Sequence, residues 1–189
     1  MKIIVILAPG FEEMEAISAI DILRRAQLDV TTVSLLPNQT VLGSHDIPVI
    51  ADMSLDDVLQ KEPHAWCDAL ILPGGMRGVE NMLSDTRLID LVKALYDAQK
   101  VVAAVCAAPL VLDKAGILHG HAFTCHPCIF DRIRTDGRRE VAAITDKNIV
   151  TGRSAGCAMI WAMELTKTLV GSDDAIRGGL AIIQDPRYS

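Results

Sequence analysis

The sequence predicts an α/β fold, one domain over residues 1–189, arranged around a buried and mainly parallel β-sheet. Three observations carry this. Short, continuous apolar runs recur along the chain and are rich in Val and Ile, as strands covered on both faces require. Stretches of helical length and pattern separate them, a strand–helix–strand spacing that gives parallel pairing with a right-handed crossover. Half of the residues are hydrophobic but only 4% are aromatic, so the core is aliphatic and large enough for a globular domain.

Residues 2–7 form the first strand, and Ala8, Pro9 and Gly10 turn it. Glu12, Glu13 and Glu15 lie in or just before the first turn of a helix reaching about residue 26, where acids complement the helix dipole. Residues 30–36 are a second strand, and residues 37–50 a loop with a short hairpin around Gly43. Ser54 caps a short helix over 54–59, with an acid three positions on. The strand over 69–72 ends in Pro73-Gly74-Gly75. Paired glycines there permit either an ordinary tight turn or a close backbone approach to a ligand. A helix over 86–98 leads into a strand over 101–105. A short helix follows, with Lys114 in its last turn and Gly116 as its stop. Residues 122–124 read as a short apolar strand before Cys125-His126-Pro127-Cys128. Residues 142–151 read as two strands turned at Asp146-Lys147-Asn148. Helices over 157–169 and 173–183 complete the chain.

A net charge of −6 argues against nucleic acid or an anionic membrane as partner. No apolar run is long enough to span a bilayer, and the opening residues read as a strand rather than a signal peptide. With five cysteines and no secretory start, the expected setting is cytoplasmic, with free thiols. No G-x-G-x-x-G follows the first strand, so a dinucleotide site has no support.

Cys106 stands where the strand over 101–105 must turn sharply into a helix, flanked by the small residues Ala104, Ala107 and Ala108. This is the layout of a nucleophile elbow, with cysteine for serine. A thiol at a helix N-terminus is expected to have a depressed pKa, and the Ala107 N–H is placed to stabilise an oxyanion. Glu15 follows the first strand and His126 a later one, so a parallel sheet brings all three to its carboxyl edge. A cysteine, a base and a buried carboxyl group form a nucleophilic set. Taken alone, each has a plainer reading: Cys106 as a small buried hydrophobe, Glu15 as a helix-start acid, His126 as a structural histidine. Cys125 and Cys128 make a C-x-x-C, readable as a redox pair, a zinc half-site or incidental cysteines, with no second Cys/His pair to complete a zinc site.

Several segments together resemble the ThiJ/PfpI superfamily, in the branch of the parkinsonism-associated protein deglycase. They are APGFEEMEA, IDILRRA, LPGG, AAVCAAPLVLDKAGIL, the Thr124 to Pro127 stretch with Cys125 as a departure, and TGRSAG. The resemblance implies a flavodoxin-like three-layer sandwich, helices on both faces of the sheet, and a homodimer with Asp21 and Arg25 near its contact. It makes Cys106 the nucleophile, Glu15 a protonated carboxyl group beside it, His126 the acid/base, and the N–H groups of Gly75 and Ala107 the oxyanion hole. Arg153, with His45 where the family has a second arginine, and Gly74 would bind an anion or substrate. Alanine at 107, where the protease-like branch has histidine, makes a protease an unsuitable reading.

Two functions of different class follow from the resemblance. One is a cofactor-free glyoxalase or deglycase that acts on 2-oxoaldehydes such as methylglyoxal, or on glycated protein, without metal. The other is a non-enzymatic redox sensor or chaperone, switched by oxidation of Cys106 to sulfinate.

Overall fold

The computed structural model describes residues 1–171; the predicted last helix over 173–183 lies outside them. The elements run β1 (Lys2–Leu7), α1 (Glu13–Arg25), β2 (Asp29–Ser34), β3 (Thr40–Leu42), β4 (Pro48–Ile50), β5 (Met53–Ser54), α2 (Leu55–Leu59), α3 (Pro63–Trp66) and β6 (Ala69–Leu72). They continue with α4 (Met76–Ser84), α5 (Thr86–Asp97), β7 (Val101–Val105), α6 (Pro109–Lys114), β8 (Ala143–Asp146), β9 (Ile149–Gly152) and α7 (Ala158–Val170). One sheet has the order β5-β2-β1-β6-β7-β9-β8, and β3 and β4 form a separate antiparallel hairpin.

Pairing in the large sheet is parallel except at its edge, where β8 runs antiparallel to β9. The β1 side chains alternate between two cores. Ile4 and Ile6 meet Val58, Val79, Val92 and Val111 of α2, α4, α5 and α6 on one face. Ile3, Val5 and Leu7 meet Ala16, Leu23, Trp161 and Leu165 of α1 and α7 on the other. Helices therefore cover both faces, the flavodoxin-like arrangement that parallel strands need to satisfy and bury their backbone.

Trp161 is fully buried and presses on β9 at Gly152, where an added Cβ would come within 2.6 Å of the indole. Ser54 caps α2 as read, with a reciprocal bond to Asp57. Two differences from the sequence reading bear on the site. α4 was not legible, because its N-cap is Gly75, which offers no capping side chain. Residues 122–124 make only a single bridge, Phe123 to Arg138, instead of a strand. His126 therefore reaches the sheet edge by another route: its N–H donates to the Cys106 carbonyl at 2.8 Å.

Candidate active site

Cys106 has φ +61°, a left-handed conformation held by a non-glycine residue at the end of β7. Such a backbone costs on the order of 1–3 kcal/mol and persists only when its surroundings over-determine it. They do so here. The Cys106 N–H donates to the Gly152 carbonyl at 2.9 Å, and its carbonyl accepts from His126. Ala107 and Ala108 are buried beside it.

Glu15 comes to the same point from α1. Glu12 is the N-cap, and its Oε2 accepts the Glu15 N–H at 2.7 Å, which fixes the first helical turn. Glu12 is thus a positioning residue that the sequence reading placed only as a helix-start acid. The Glu15 side chain is fully buried, and its Oε2 accepts the Gly74 N–H at 2.7 Å. Its Oε1 is buried without a hydrogen-bond partner among the described residues. Gly74 separates carboxyl from thiol: a Cβ there would lie 2.5 Å from Glu15 Oε2 and 2.7 Å from Cys106 Cβ. Only glycine lets the two groups stand so close. The next residue, Gly75, has φ +84°, and a Cβ on it would strike the Gly10 carbonyl at 2.5 Å.

The electrostatics follow from this crowding. Burial, against the opposing Gly74 N–H, raises the Glu15 carboxyl from 4.5 to about 7, and the Glu12 charge adds to the rise. Burial and the Glu15 negative charge also push the Cys106 thiol well above its ordinary value, while the N–H groups of Gly75 and Ala107 pull it down. This corrects the expectation of a thiol lowered by a helix dipole. α6 has only six residues, and desolvation beside a carboxylate outweighs its field. The thiol and the carboxyl act on each other directly, side chain to side chain. Ionisation of one group therefore opposes ionisation of the other.

His126 is half-buried at the start of a 3₁₀ turn over Pro127–Ile129, and its Nδ1 accepts the Cys128 N–H at 3.1 Å. That bond puts the proton of the neutral ring on Nε2. His45 and Arg153 each have an acidic partner. His45 is exposed and bonds Glu13 twice, from its backbone N–H at 2.6 Å and through Nδ1 at 2.9 Å. Burial opposes ionisation of Glu13, yet the bonds from His45 and Ser44 hold it at about 2 and raise the His45 pKa in turn. Arg153 Nη1 lies 3.8 Å from Glu140 Oε2, and its charge acts on Cys125. Asp21 and Arg25 pair with each other across one turn of α1 at 2.7 Å, both largely exposed.

The raised Glu15 pKa has a measurable consequence. A carboxyl protonated more readily in the folded than in the unfolded state stabilises the fold fully below about pH 4.5, and that stabilisation is lost as the pH rises through about 7. The loss is roughly 3 kcal/mol for a shift of this size. Urea unfolding across this range should show wild-type stability falling relative to Glu15→Gln by that order, and parallel pH profiles would contradict the assignment.

Residues 1–168 match the model of the DJ-1/PfpI family. The chain is 31% identical over 183 residues to "Protein DJ-1 homolog A" of Arabidopsis thaliana, covering 96% of this chain but 46% of that protein. It thus spans about half the length of that curated relative. It is 30% identical over 171 residues to "Deglycase TK1284" of Thermococcus kodakarensis, covering 89% of this chain and 99% of that one. Among solved structures, a mutant of a DJ-1 superfamily protein from Salmonella typhimurium superposes with a TM-score of 0.89 at 33% identity, over 96% of this chain and 97% of that one. On its strand order, its cysteine elbow and these matches, the chain belongs to the DJ-1/PfpI family.

Proposed function

We propose that the chain is a cysteine-dependent, cofactor-free glyoxalase or deglycase acting on 2-oxoaldehydes such as methylglyoxal, or on early glycation adducts. The observation that carries this is the pairing of Cys106, on a strained elbow, with a buried carboxyl group whose pKa is about 7. A carboxyl tuned to neutral pH can both hold and return a proton during a reaction. The name of the Thermococcus kodakarensis relative points to the same chemistry.

In this reading the Cys106 sulfur attacks the aldehyde carbon, and the proton shared by the pair stays on Glu15. The N–H groups of Gly75 and Ala107 meet the developing oxyanion; neither donates to a backbone carbonyl of the described residues. The Glu15 proton passes to that oxygen and leaves a hemithioacetal. The Glu15 carboxylate then takes the hydrogen from C1, while His126 Nε2–H stabilises the enediolate at the ketone oxygen. Returning the proton to C2, with the hydroxyl proton moving from O1 to O2, leaves a lactoyl thioester on Cys106. Water hydrolyses the thioester, so methylglyoxal and one water become lactate and the thiol is regenerated.

The same groups support the redox-sensor reading, since Glu15 Oε1 and two N–H groups could hold the oxygens of a Cys106 sulfinate. The two readings part at His126. Purified protein without metal or glutathione should make lactate from methylglyoxal. Cys106→Ser should fall to background, and His126→Ala by about a hundredfold. Absence of turnover by fully reduced wild-type protein would overturn the enzymatic reading.

We also propose that the chain is a homodimer. α1 exposes Met14 and Ile17, and the start of α7 exposes Met159 and Ile160. Met14, Ile17 and Met159 line one shallow apolar groove with Ser18, Ala155 and Gly156, continuous with the face that carries Asp21 and Arg25. A second copy of the same face is the occupant implied by self-complementary symmetry. Equilibrium sedimentation at micromolar concentration should give a dimer that Ile17→Asp converts to monomer, and a monomeric wild type would contradict the proposal. No helix of the described residues is long and apolar enough to cross a membrane.

A further inference from the structure

The C-x-x-C that brackets His126 has no part in the reaction above, yet its geometry is tied to that residue. Cys125 and Cys128 stand three apart, on either side of the His126 that caps a tight turn over Pro127–Ile129. The first N–H groups of such a turn have no carbonyl within it to bond, and that of Cys128 is capped by His126 Nδ1. The flanks on either side are fixed. Thr124 N–H donates to Thr151 Oγ1 at 2.9 Å, His126 N–H to the Cys106 carbonyl at 2.8 Å, and Ile129 is fully buried. Cys128 is exposed, whereas Cys125 is buried beside a cleft of about 500 Å³ lined also by Phe130 and Arg138. Burial pushes the Cys125 thiol up to about 11 against the Arg138 charge, and Cys128 adds to the rise. Both thiols are free.

We propose that Cys125 and Cys128 form a peroxide-driven, thiol-reversible disulfide that switches the site off by drawing the Cys128 N–H away from the His126 ring. Cys125 is buried and Cys128 exposed, so closing the disulfide between the fixed flanks moves Cys128 toward Cys125. The imidazole then loses the bond that fixes its tautomer and orientation. The chemistry balances with hydrogen peroxide as oxidant. The exposed Cys128 sulfur attacks the O–O bond and gives a sulfenic acid and one water. The Cys125 sulfur displaces the hydroxyl group, which leaves with the Cys125 proton as a second water. Two thiols lose two electrons and the peroxide gains them.

The loss of activity rests on the proposed role of His126, so the test reads the disulfide and the ring separately from turnover. Cys106→Ser protein, in which Cys106 cannot oxidise, is treated with hydrogen peroxide and its Cys125–Cys128 link mapped by peptide mass spectrometry. The His126 Nδ1 resonance is followed by ¹⁵N NMR in the same sample. The expected result is a linked peptide lighter by two hydrogens and a shifted Nδ1 resonance, both reversed by dithiothreitol. In protein retaining Cys106, each form normalised to its own reduced activity, a loss of about tenfold or more should be recovered with dithiothreitol. The dithiothreitol-recoverable part of that loss should vanish in Cys128→Ser. An unlinked pair at peroxide levels that oxidise Cys106, or a linked pair with an unmoved Nδ1 resonance, would overturn the proposal. A chain without methylglyoxal turnover would defeat the enzymatic reading alone, and the mapping and the resonance would still decide this one.

Discussion

A buried carboxyl group beside a half-buried thiol resists carrying a second negative charge, and the site is organised around that constraint. Two anions separated by little more than a glycine, away from water, would repel strongly. Glu15 answers by titrating near neutrality and Cys106 by keeping its proton while Glu15 is ionised. The result differs from a thiolate made by a helix dipole. The charge rests on the Glu15 oxygens in the free site, close enough to the sulfur to take its proton as a reaction there begins. The same property suits a nucleophile and an oxidation-sensitive thiol, which is why one site supports both readings.

The fold supplies the closeness this requires. β1, β6 and β7 are adjacent parallel strands, so the residues following each lie along one edge of the sheet. α1 follows β1 and delivers Glu15; the loop after β6 delivers Gly74 and Gly75; β7 ends at Cys106. Small residues then let these backbones approach. Gly78 of α4 would clash with Phe11 if it carried a Cβ, at 2.8 Å from the Phe11 N. The strain at Cys106 is local, and it is held by bonds to β9 and to the His126 segment, which joins two otherwise separate parts of the chain to the nucleophile.

The core of this was legible in the sequence because its signals are local. The strands over 69–72 and 101–105 are continuous apolar runs with turn residues or charges at their ends, and the structure has them at those residues. Asp146-Lys147-Asn148 marked the hairpin of β8 and β9. Other features depend on partners far along the chain. The Glu13–His45 pairing joins residues 32 apart and leaves no pattern in either segment. α4 begins on a glycine chosen for its approach to Gly10 and Glu12, so no capping side chain announces it. The thiol's environment was misread for the same reason. A local rule about helix ends ignored burial and a carboxyl group from another element, and these decide the direction.

The most direct measurement of the central claim is the protonation state of Glu15 itself. Infrared difference spectroscopy or ¹³C NMR with labelled glutamate can follow the Glu15 carboxyl from acid to alkaline pH, in wild type and in Cys106→Ala. The account requires a carboxyl that stays protonated through the ordinary range of glutamate and titrates near 7 in reduced protein. A Glu15 already ionised at pH 5 would contradict it, since carboxylate and thiol would then not be sharing a proton at any pH at which the protein works.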